Sequence, residues 1–386
     1  MPTIIDDVKR GFNEYFHYEN NKIMSCGGRF EILGNHTDHN HGLCLAATCD
    51  LAIYGALNKR DDMMVNFVSQ GYCPFKVDLN ELEIRENELN TSAGLVRGVA
   101  RYLKDAGYEI GGFDIYTIST IFPGAGVSSS AAFELLVAEI FNNLFNNDKI
   151  DRIVLCKAGQ YSENNYFGKK SGLLDQIGVG FGNLVSIDFK DIKNPDVKEI
   201  VLPFDDLHFV IVNTGGSHAE LSDLYSEIPS DMKNAAKVLG HEFLREGSLE
   251  ELEAHKKELS QREYLRASHF YHENERVRKA IEAIKNNDEK GFLNCINGSR
   301  ISSTNDLRNM MVGTEYDGSP LEACDIAMKA MNNEGAVKIN GGGFAGSVIS
   351  FVPSKYLDNY LKIMSEKYGN NNVKEVKIRK TGPSVE

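Results

Sequence analysis

The spacing of apolar and polar residues predicts a chain in which strands and helices alternate. Short apolar runs at residues 43–57 and 63–68, and an alternating run at 112–121, are typical of strands. Residues 93–106 have helical spacing and stop before Gly107. This order of elements predicts an α/β fold.

The second half of the chain adds longer helices to this pattern. From residue 128 the sequence S-S-S-A-A-F-E-L-L-V-A-E-I-F predicts a helix with a well-marked start, and a second helical stretch covers 151–167. Residues 207–213 have a strand pattern, whereas 229–293 are charged and helical in period, as in amphipathic helices with one solvated face. From residue 336, A-V-K-I-N-G-G-G-F-A-G-S-V-I-S-F-V-P predicts two strands joined by a glycine turn.

The length of the chain predicts two lobes. Its 386 residues exceed what one hydrophobic core usually serves, which is about 250 to 300 residues. We expect lobes formed by residues 1–200 and 201–386 that share an interface, because no low-complexity linker separates them.

Composition narrows the choice of partners. Hydrophobic residues make up 42% and charged residues 25%, as in ordinary globular proteins. A net charge of −13 repels nucleic acid and anionic membranes, and we expect neither as a partner. The start of the chain lacks the basic and apolar regions of a secretory signal, and seven cysteines without a C-x-x-C pair fit reduced thiols, so we expect a cytoplasmic protein. Nothing in the sequence indicates an oligomer, and a monomer is expected.

The strongest sign of phosphate binding is F-P-G-A-G-V-S-S-S-A-A-F-E at residues 122–134. Glycines let the backbone approach an anion closely, and the start of the following helix offers free N–H groups and the positive end of its dipole. Serines that only cap the helix are the alternative. No Walker motif occurs, so any nucleotide site is of another type. The candidate nucleotide-binding residues are Gly124, Ala125, Gly126, Ser128, Ser129 and Ser130.

A second glycine motif, G-G-G-F-A-G at residues 341–346, formally satisfies the dinucleotide-binding pattern G-x-G-x-x-G. A strand pattern, S-V-I-S-F-V, follows it instead of a helix, which excludes a dinucleotide site. We predict a tight hairpin that could line a ligand site from the opposite side.

Two further segments carry candidate chemistry. E-N-N-Y-F-G-K-K-S-G-L-L-D-Q-I-G contains Glu163 and Asp175, which could act as a general base or hold a cation, or could be surface or capping carboxylates. The stretch G-N-H-T-D-H-N-H-G at residues 34–42 could be a metal-binding cage, a sugar-binding loop or a polar turn. Taken alone, these residues leave the alternatives open.

Together and in this order, the motifs resemble those of the GHMP kinases, and within them the galactokinases. G-G-R-F-E-I-L-G-N-H-T-D-H-N-H-G resembles the galactokinase signature G-R-V-N-L-I-G-E-H-T-D-Y-N-x-G, and S-G-L-L-D-Q resembles the family's C-G-I-M-D-Q. Four further segments also follow the family. They are the serine-rich segment at residues 122–134, N-T-G-G-S-H-A-E-L-S-D-L-Y ending at Tyr225, R-A-S-H-F-Y-H-E-N-E-R-V, and K-I-N-G-G-G-F-A-G. The resemblance covers nearly the whole chain.

The resemblance implies a two-lobed α/β fold, with a left-handed βαβ unit in the N-terminal lobe and a ferredoxin-like C-terminal lobe. It also implies transfer of the γ-phosphoryl group of ATP to the C1 hydroxyl of a galactose-type sugar, with Mg²⁺ as cofactor. In that chemistry Asp175 is the base, and Arg29 lowers the pKa of the sugar hydroxyl and steadies the transferring group. Ser130 and Glu163 are the implied Mg²⁺ ligands. The implied sugar-binding residues are Asn35, His36, Asp38, His39, Gly172 and Tyr225.

The stretch at residues 34–42, the sugar loop below, departs from the family at two positions. Asn35 stands where galactokinases have a glutamate, and His39 follows Asp38 where they have a tyrosine. Galacturonic acid kinases of plants share both changes. An amide does not repel a carboxylate as glutamate does, so a uronic acid or another C6-altered galactose is one hypothesis for the substrate, and drift with galactose retained is the other. Further departures from the family are Glu31, Ser171 and Asn340.

Two other classes of function compete with a sugar kinase. Clusters of histidine and aspartate bind zinc or iron in metallohydrolases, but no H-x-x-E-H partner is present. The ligands in such an enzyme would be His36, Asp38, His39 and His41. A non-catalytic sensor could bind ATP and sugar without turnover, but the retained Arg29 and Asp175 argue against it.

Overall fold

The computed structural model describes residues 3–215 and 222–386. Its strands, in chain order, are β1 (Lys22–Leu33), β2 (Leu43–Lys59), β3 (Met64–Ser69), β4 (Phe75–Asp78), β5 (Phe113–Ser119), β6 (Leu184–Asp188), β7 (Asp196–Ile200), β8 (Leu207–Asn213), β9 (Ala336–Asn340), β10 (Ser347–Pro353), β11 (Val373–Val376) and β12 (Ser384–Val385). Its α-helices are α1 (Ile4–Phe16), α2 (Ser92–Asp105), α3 (Ser129–Phe145), α4 (Arg152–Ser162), α5 (Leu174–Gly180), α6 (Ser222–Val238), α7 (Leu249–Ala254), α8 (Gln261–Lys285), α9 (Glu289–Ser302), α10 (Pro320–Ala330) and α11 (Leu357–Tyr368).

The larger sheet contains the strands of the N-terminal half. Its order is β12-β1-β2-β5-β3-β4, and β6 pairs with β2 and β7. β3 and β5 run parallel with α2 between them in the chain, whereas the other pairs are antiparallel. Because side chains alternate between the two faces of a strand, one face of this sheet carries the apolar residues on which α2, α3, α4 and α5 pack.

The smaller sheet has the strand order β11-β8-β10-β9 and is antiparallel throughout. In the chain these strands follow the ferredoxin-like order of strand, helices, two strands, helix and strand. Alternate residues of β8 serve two cores: Val210 and Val212 pack with α10 and α11, and Phe209 and Ile211 face the other lobe. The predicted α/β fold is confirmed.

The two sheets share a core because β1 is buried along nearly its whole length. Phe30 of β1 packs on Phe209 of β8 with ring centroids 5.2 Å apart. A buried ion pair lies beside this apolar contact: Lys338 Nζ of β9 is 2.8 Å from Glu31 Oε1 of β1, and Lys338 is 0% exposed. Lys338 also donates to the carbonyl of Ile339, at 2.8 Å. The site described below lies along this junction.

The elements with strong periodicity match the structure closely. The strand predicted at 207–213 is β8 with the same limits, and the helices predicted at 93–106 and from residue 128 are α2 and α3. The stretch 151–167 is α4 followed by a π-helical turn at Glu163–Phe167, and such turns occur often at functional sites. The division of the chain at residue 200 stays a prediction. Within the two described ranges, no helix is long and apolar enough to cross a bilayer.

We predict that Lys338→Met lowers the free energy of unfolding by about 3 to 5 kcal/mol, because it leaves the buried carboxylate of Glu31 without its cation. Urea titrations of purified protein measure this loss. The double variant Glu31→Gln/Lys338→Met removes both charges and should recover part of it. Lys355→Met breaks the exposed pair with Glu334 and serves as the control, with a change below about 1 kcal/mol. Equal losses in Lys338→Met and in the double variant would contradict the prediction.

Candidate active site

Segments far apart in the chain bring Arg29 and Asp175 together at the lobe junction. Arg29 lies on β1, Asp175 is near the start of α5, and Ser128 immediately precedes α3. The Arg29 guanidinium contacts Asp175 Oδ1 with Nε at 2.9 Å and Nη2 at 2.7 Å, and its Nη1 donates to the carbonyl of Gly126 at 2.6 Å. Ser128 Oγ–H donates to the second oxygen, Asp175 Oδ2. The predicted cation and the predicted base are therefore direct neighbours.

Both groups are charged at neutral pH in spite of their burial. Burial raises the pKa of Asp175, but the charges of Arg29 and Lys169 and the hydrogen bond from Ser128 outweigh it and lower that pKa overall. Burial likewise lowers the pKa of Arg29, but the carboxylates of Asp175 and Glu31 outweigh it and raise that pKa overall. The site therefore holds a fixed cation beside a carboxylate that can accept a proton.

The serine loop, residues 122–130, leaves the start of α3 without a side-chain cap. Ser128 occupies the N-cap position with a φ of 54°, and its side chain makes no capping hydrogen bond. It turns to Asp175 instead. The capping alternative therefore does not describe Ser128, and the N-terminal N–H groups and dipole of a 17-residue helix face the loop.

The glycine hairpin between β9 and β10 holds this loop from the other lobe. Ser347 Oγ donates to the carbonyl of Ala125 at 3.0 Å, and Asn340 Nδ2 donates to that of Gly126 at 3.1 Å. Gly124 and Gly126 have φ angles of 75° and 68°, and a Cβ on Gly126 would lie 2.0 Å from Ser347 Oγ. The positive φ and this contact favour glycine at residue 126. The hairpin contacts the serine loop, and its role in lining a ligand site stays a prediction.

Glu163 is bonded to several polar and charged side chains. Ser130 Oγ donates to Glu163 Oε1 at 3.0 Å, and Lys169 Nζ lies 2.9 Å from the same oxygen. Ser171 Oγ and Gln176 Nε2 donate to Oε2 at 2.6 and 3.2 Å. A hydroxyl and a carboxylate are ligand types that Mg²⁺ takes together with phosphate oxygens, so the donor set fits this ion. In the described residues, no group of three or more His, Cys, Asp or Glu side chains could hold a metal by itself.

The sugar loop faces this centre with His36 and Asp38. His36 Nε2–H donates to the carbonyl of Gly342 at 2.8 Å, and its ring lies 5.5 Å from that of Tyr225. A Cβ on Gly172 would lie 2.1 Å from Asp38 Oδ2, so a side chain at that position would displace the Asp38 carboxylate. Burial, with the charge of Asp175 added, raises the pKa of Asp38 against the opposing effect of His36.

The other histidines of the loop have different surroundings. Burial lowers the pKa of His39 to about 4, and its buried Nε2 has no hydrogen-bond partner within the described residues. His41 stacks on Phe243 with ring centroids 3.8 Å apart. The three imidazoles of the loop do not converge on one point, as the ligands of a metal cage would.

Asn35 is engaged within the protein at both ends of its amide. It is 1% exposed, and its Nδ2 donates to the carbonyl of Gly341 at 2.7 Å and to Glu31 Oε1 at 3.2 Å. Its Oδ1 accepts from Asn309 Nδ2 at 2.9 Å. Glu31 pairs with Lys338 rather than with the neighbouring Arg29. Relative to the galactokinase signature, Glu31 stands in place of an asparagine and Asn35 in place of a glutamate, and in this chain the two side chains are hydrogen-bonded to each other.

Several contributors to the site could not be found from sequence. Lys169 and Gln176 lie in segments quoted above, but nothing in the sequence assigned them a contact with Glu163, and Asn309 lies 274 residues from Asn35. Pairing between such distant positions leaves no periodicity in the chain. The segment 216–221, which contains His218 of the family-like motif, lies outside the described residues.

The chain matches two protein-family models and is similar to known galactokinases. Residues 10–59, which include the sugar loop, match the galactokinase galactose-binding signature, and residues 94–183, which include the serine loop, match the GHMP kinases N terminal domain. The galactokinase of Clostridium tetani is 31% identical over 372 residues, 94% of this chain and 92% of that protein. The galactokinase of Fusobacterium nucleatum is 30% identical over 381 residues, 95% and 94% of the two chains.

Solved structures agree at the level of the fold. Lactococcus lactis galactokinase complexed with galactose matches with a TM-score of 0.85 at 27% identity, over 99% of this chain and 100% of that one. Methanococcus jannaschii mevalonate kinase matches with a TM-score of 0.65 at 16% identity, over 92% and 98%. At that identity the second likeness is one of fold alone.

The burial of His39 predicts a pH-dependent stability. Its pKa is about 4 in the folded protein and about 6.5 when solvated, so the unfolded chain takes up the proton first as the pH falls. The stability contribution is complete above pH 6.5 and falls by up to about 1.4 kcal/mol per pH unit toward pH 4. His39→Gln removes this contribution. The difference in unfolding free energy between wild type and variant, measured in urea, should change between pH 6.5 and 5 but not between 8.5 and 7.5; curves that stay parallel throughout would contradict it.

Proposed function

Because the chain belongs to the galactokinase family of the GHMP kinases and is therefore a sugar kinase, we propose that it transfers the γ-phosphoryl group of ATP to the C1 hydroxyl of D-galactose. The proposal rests on one observation above all: the buried Arg29 pairs with the half-buried Asp175 beside the uncapped start of α3. Phosphoryl transfer requires positioning and charge stabilisation more than covalent help, and this arrangement supplies both.

The serine loop is the proposed site of the ATP phosphates. Gly124, Ala125 and Gly126 bring backbone close to the anion, and Ser128, Ser129 and Ser130 stand where the helix dipole is positive. Arg29 reaches the same loop through the carbonyl of Gly126, so its charge lies beside the phosphates and stabilises the transferring group.

Asp175 is the proposed acceptor of the C1 hydroxyl proton. Its Oδ1 is occupied by Arg29, so Oδ2, which accepts from Ser128, is the oxygen that can turn to a sugar hydroxyl. A carboxylate with a lowered pKa is a weak base, but a loose transition state delays proton transfer until the phosphoryl group has largely moved. Asp175 therefore orients the hydroxyl first and takes its proton late.

Ser130 and Glu163 are the residues that would hold Mg²⁺. The bound ion supplies positive charge to the ATP phosphates. Of the three serines, Ser130 is proposed because its hydroxyl lies on Glu163, whereas that of Ser128 lies on Asp175. Lys169, whose side chain is 56% exposed, balances the charge of Glu163 and is free to swing aside.

The sugar is proposed to lie between the sugar loop and Asp175. Asp38 and His36 offer polar atoms, and Gly172 leaves the space that a side chain would fill. Tyr225 closes the pocket beside His36. Carboxylates are strong hydrogen-bond acceptors for sugar hydroxyls.

The contacts of Asn35 favour a sugar that is neutral at C6. An acidic C6 group requires a cation or free donors, but both N–H groups of the Asn35 amide are already used, one of them by the carboxylate of Glu31. A uronate would bring a second anion toward that carboxylate. The galacturonate hypothesis drawn from the sequence is therefore the less favoured alternative, and substrate assays decide between the two sugars.

We predict that Asp175→Asn lowers kcat by about 10²- to 10⁴-fold, because the amide keeps the shape but cannot accept the proton. The galactose dissociation constant, measured by calorimetry, should change by less than about 3-fold, since an amide can still hydrogen-bond the hydroxyl. Asp62→Asn, in an aspartate–arginine pair outside the site, is the matched control and should leave both quantities unchanged. Near-normal turnover in Asp175→Asn would show that the base is misassigned.

The substrate is tested by ATP consumption with galactose, galacturonate, N-acetylgalactosamine and fucose. We expect galactose to have the highest kcat/KM and galacturonate to be lower by about 10²-fold or more, given the anion of Glu31 beside Asn35.

The paired exchange Glu31→Asn/Asn35→Glu should retain this order of substrates because the number of charges is unchanged. The single variant Asn35→Glu places two carboxylates side by side and should lose stability. A wild type that prefers galacturonate, with a shift toward galactose in the double variant, would overturn the galactose proposal. Turnover of none of the sugars despite tight binding would indicate a sensor.

A further inference from the structure

Helix α8 carries buried polar side chains that the proposed chemistry does not use. His269 and Glu273 are 0% exposed and Asn274 is 4% exposed, and all three lie on one side of the helix at spacings of four and one. Burying such groups is costly unless each is hydrogen-bonded, so their partners indicate what they are for.

The partners are backbone atoms of the sugar loop and of the residue that follows it. Glu273 Oε1 accepts from the N–H of Gly34 at 2.9 Å and from that of Asn35 at 3.4 Å. His269 Nε2–H donates to the carbonyl of Asn35 at 2.9 Å. At the other end, Asn274 Oδ1 accepts from the N–H of Leu43 at 2.6 Å. Helix α8 of the C-terminal lobe thus makes hydrogen bonds to the backbone at both ends of the sugar loop.

The loop requires such support because its backbone is strained. His36 has a φ of 58°, in the left-handed region that side chains rarely adopt, and it directly follows Asn35. A residue in that region is stable only when its surroundings determine the conformation. Glu273 and His269 hold the backbone of Asn35, which directly precedes His36, so they fix the direction in which the loop backbone continues to His36 and Asp38.

Glu273 accepts strong hydrogen bonds from the loop because its carboxylate stays ionised. Burial raises the pKa of Glu273, but the charges of Arg276 and His269 and the hydrogen bonds from Gly34 and Ser299 lower it overall to about 2. Arg276 Nε lies 2.6 Å from Oε2, and Ser299 Oγ of α9 donates to Oε1 at 2.7 Å. An ionised acceptor makes hydrogen bonds about twice as strong as a neutral one.

The same helix also reaches the opposite wall of the proposed pocket. Arg266 Nη1 of α8 lies 2.6 Å from Asp231 Oδ2 of α6, and both residues are at least 95% buried. α6 carries Tyr225, whose ring lies 5.5 Å from that of His36. α8 therefore connects the sugar loop to the element that carries Tyr225.

We propose that Glu273 and His269 are positioning residues of the sugar site, which hold the backbone of Gly34 and Asn35 so that His36 and Asp38 face the substrate. They touch no substrate themselves. This role rests on the proposed sugar kinase function, and it concerns the binding of the sugar, because ATP lies against the serine loop on the other side of Arg29.

The test is Glu273→Gln, which keeps the size of the side chain and removes its charge. In the unliganded protein, peptides covering residues 34–42 should take up deuterium faster than in wild type, because the amides of Gly34 and Asn35 lose their ionised acceptor. In assays, KM for galactose should rise about 10-fold while KM for ATP stays within about 2-fold.

Glu275→Gln is the matched control, since this carboxylate lies two positions along the same helix, is 50% exposed and pairs only with Arg278 and Lys279 in the described residues. It should behave as wild type in both measurements. If Glu273→Gln does not fold, His269→Gln tests the same loop from the carbonyl of Asn35.

Unchanged deuterium uptake, or equal changes in the two KM values, would overturn the proposal. A wild type that phosphorylates no sugar would refute the proposed function instead, and the uptake measurement would still decide whether α8 holds the loop.

Discussion

A buried guanidinium must be surrounded by acceptors, and the arrangement of the site follows from how the chain meets this requirement for Arg29. Asp175 and the carbonyl of Gly126 are its acceptors, and they come from α5 and from the serine loop. The phosphate-binding loop and the proposed base therefore have fixed positions relative to one strand, β1. Because β1 is also the strand on which the two lobes meet, the proposed positions of the transferring group and of the sugar lie at the same junction.

The same constraint acts two residues further along β1. Glu31 is buried and requires a cation, which Lys338 provides from the smaller sheet. Asn35 also donates to Glu31 and in turn accepts from Asn309. Relative to the galactokinase signature, the carboxylate stands at residue 31 and the amide at residue 35. The two side chains are hydrogen-bonded to each other, so the negative charge lies only one side chain away from its place in the signature. The charge at the C6 end of the proposed pocket thus depends on an ion pair and hydrogen bonds within the protein, and the identity of residue 35 alone does not predict it.

Much of this protein could be recognised without coordinates. Periodicity located β8, α2 and α3, and the ordered motifs identified the family that the comparisons then showed. Arg29 and Asp175 came from those motifs, and the structure brings them within hydrogen-bonding distance. The limits of prediction appeared where one residue type has several uses. A serine before a helix suggested a cap, but Ser128 turns to Asp175 instead.

The sequence by itself determined the α/β class, the glycine positions and the sugar kinase chemistry, because these depend on local periodicity, backbone freedom and the order of short motifs. Only the tertiary structure decided which serine lies on Glu163, where the charge of Glu31 is neutralised, and that α8 holds the sugar loop. These facts depend on contacts between residues separated by tens to hundreds of positions. Such contacts are set by how the sheets and helices pack, and no pattern along the chain records them.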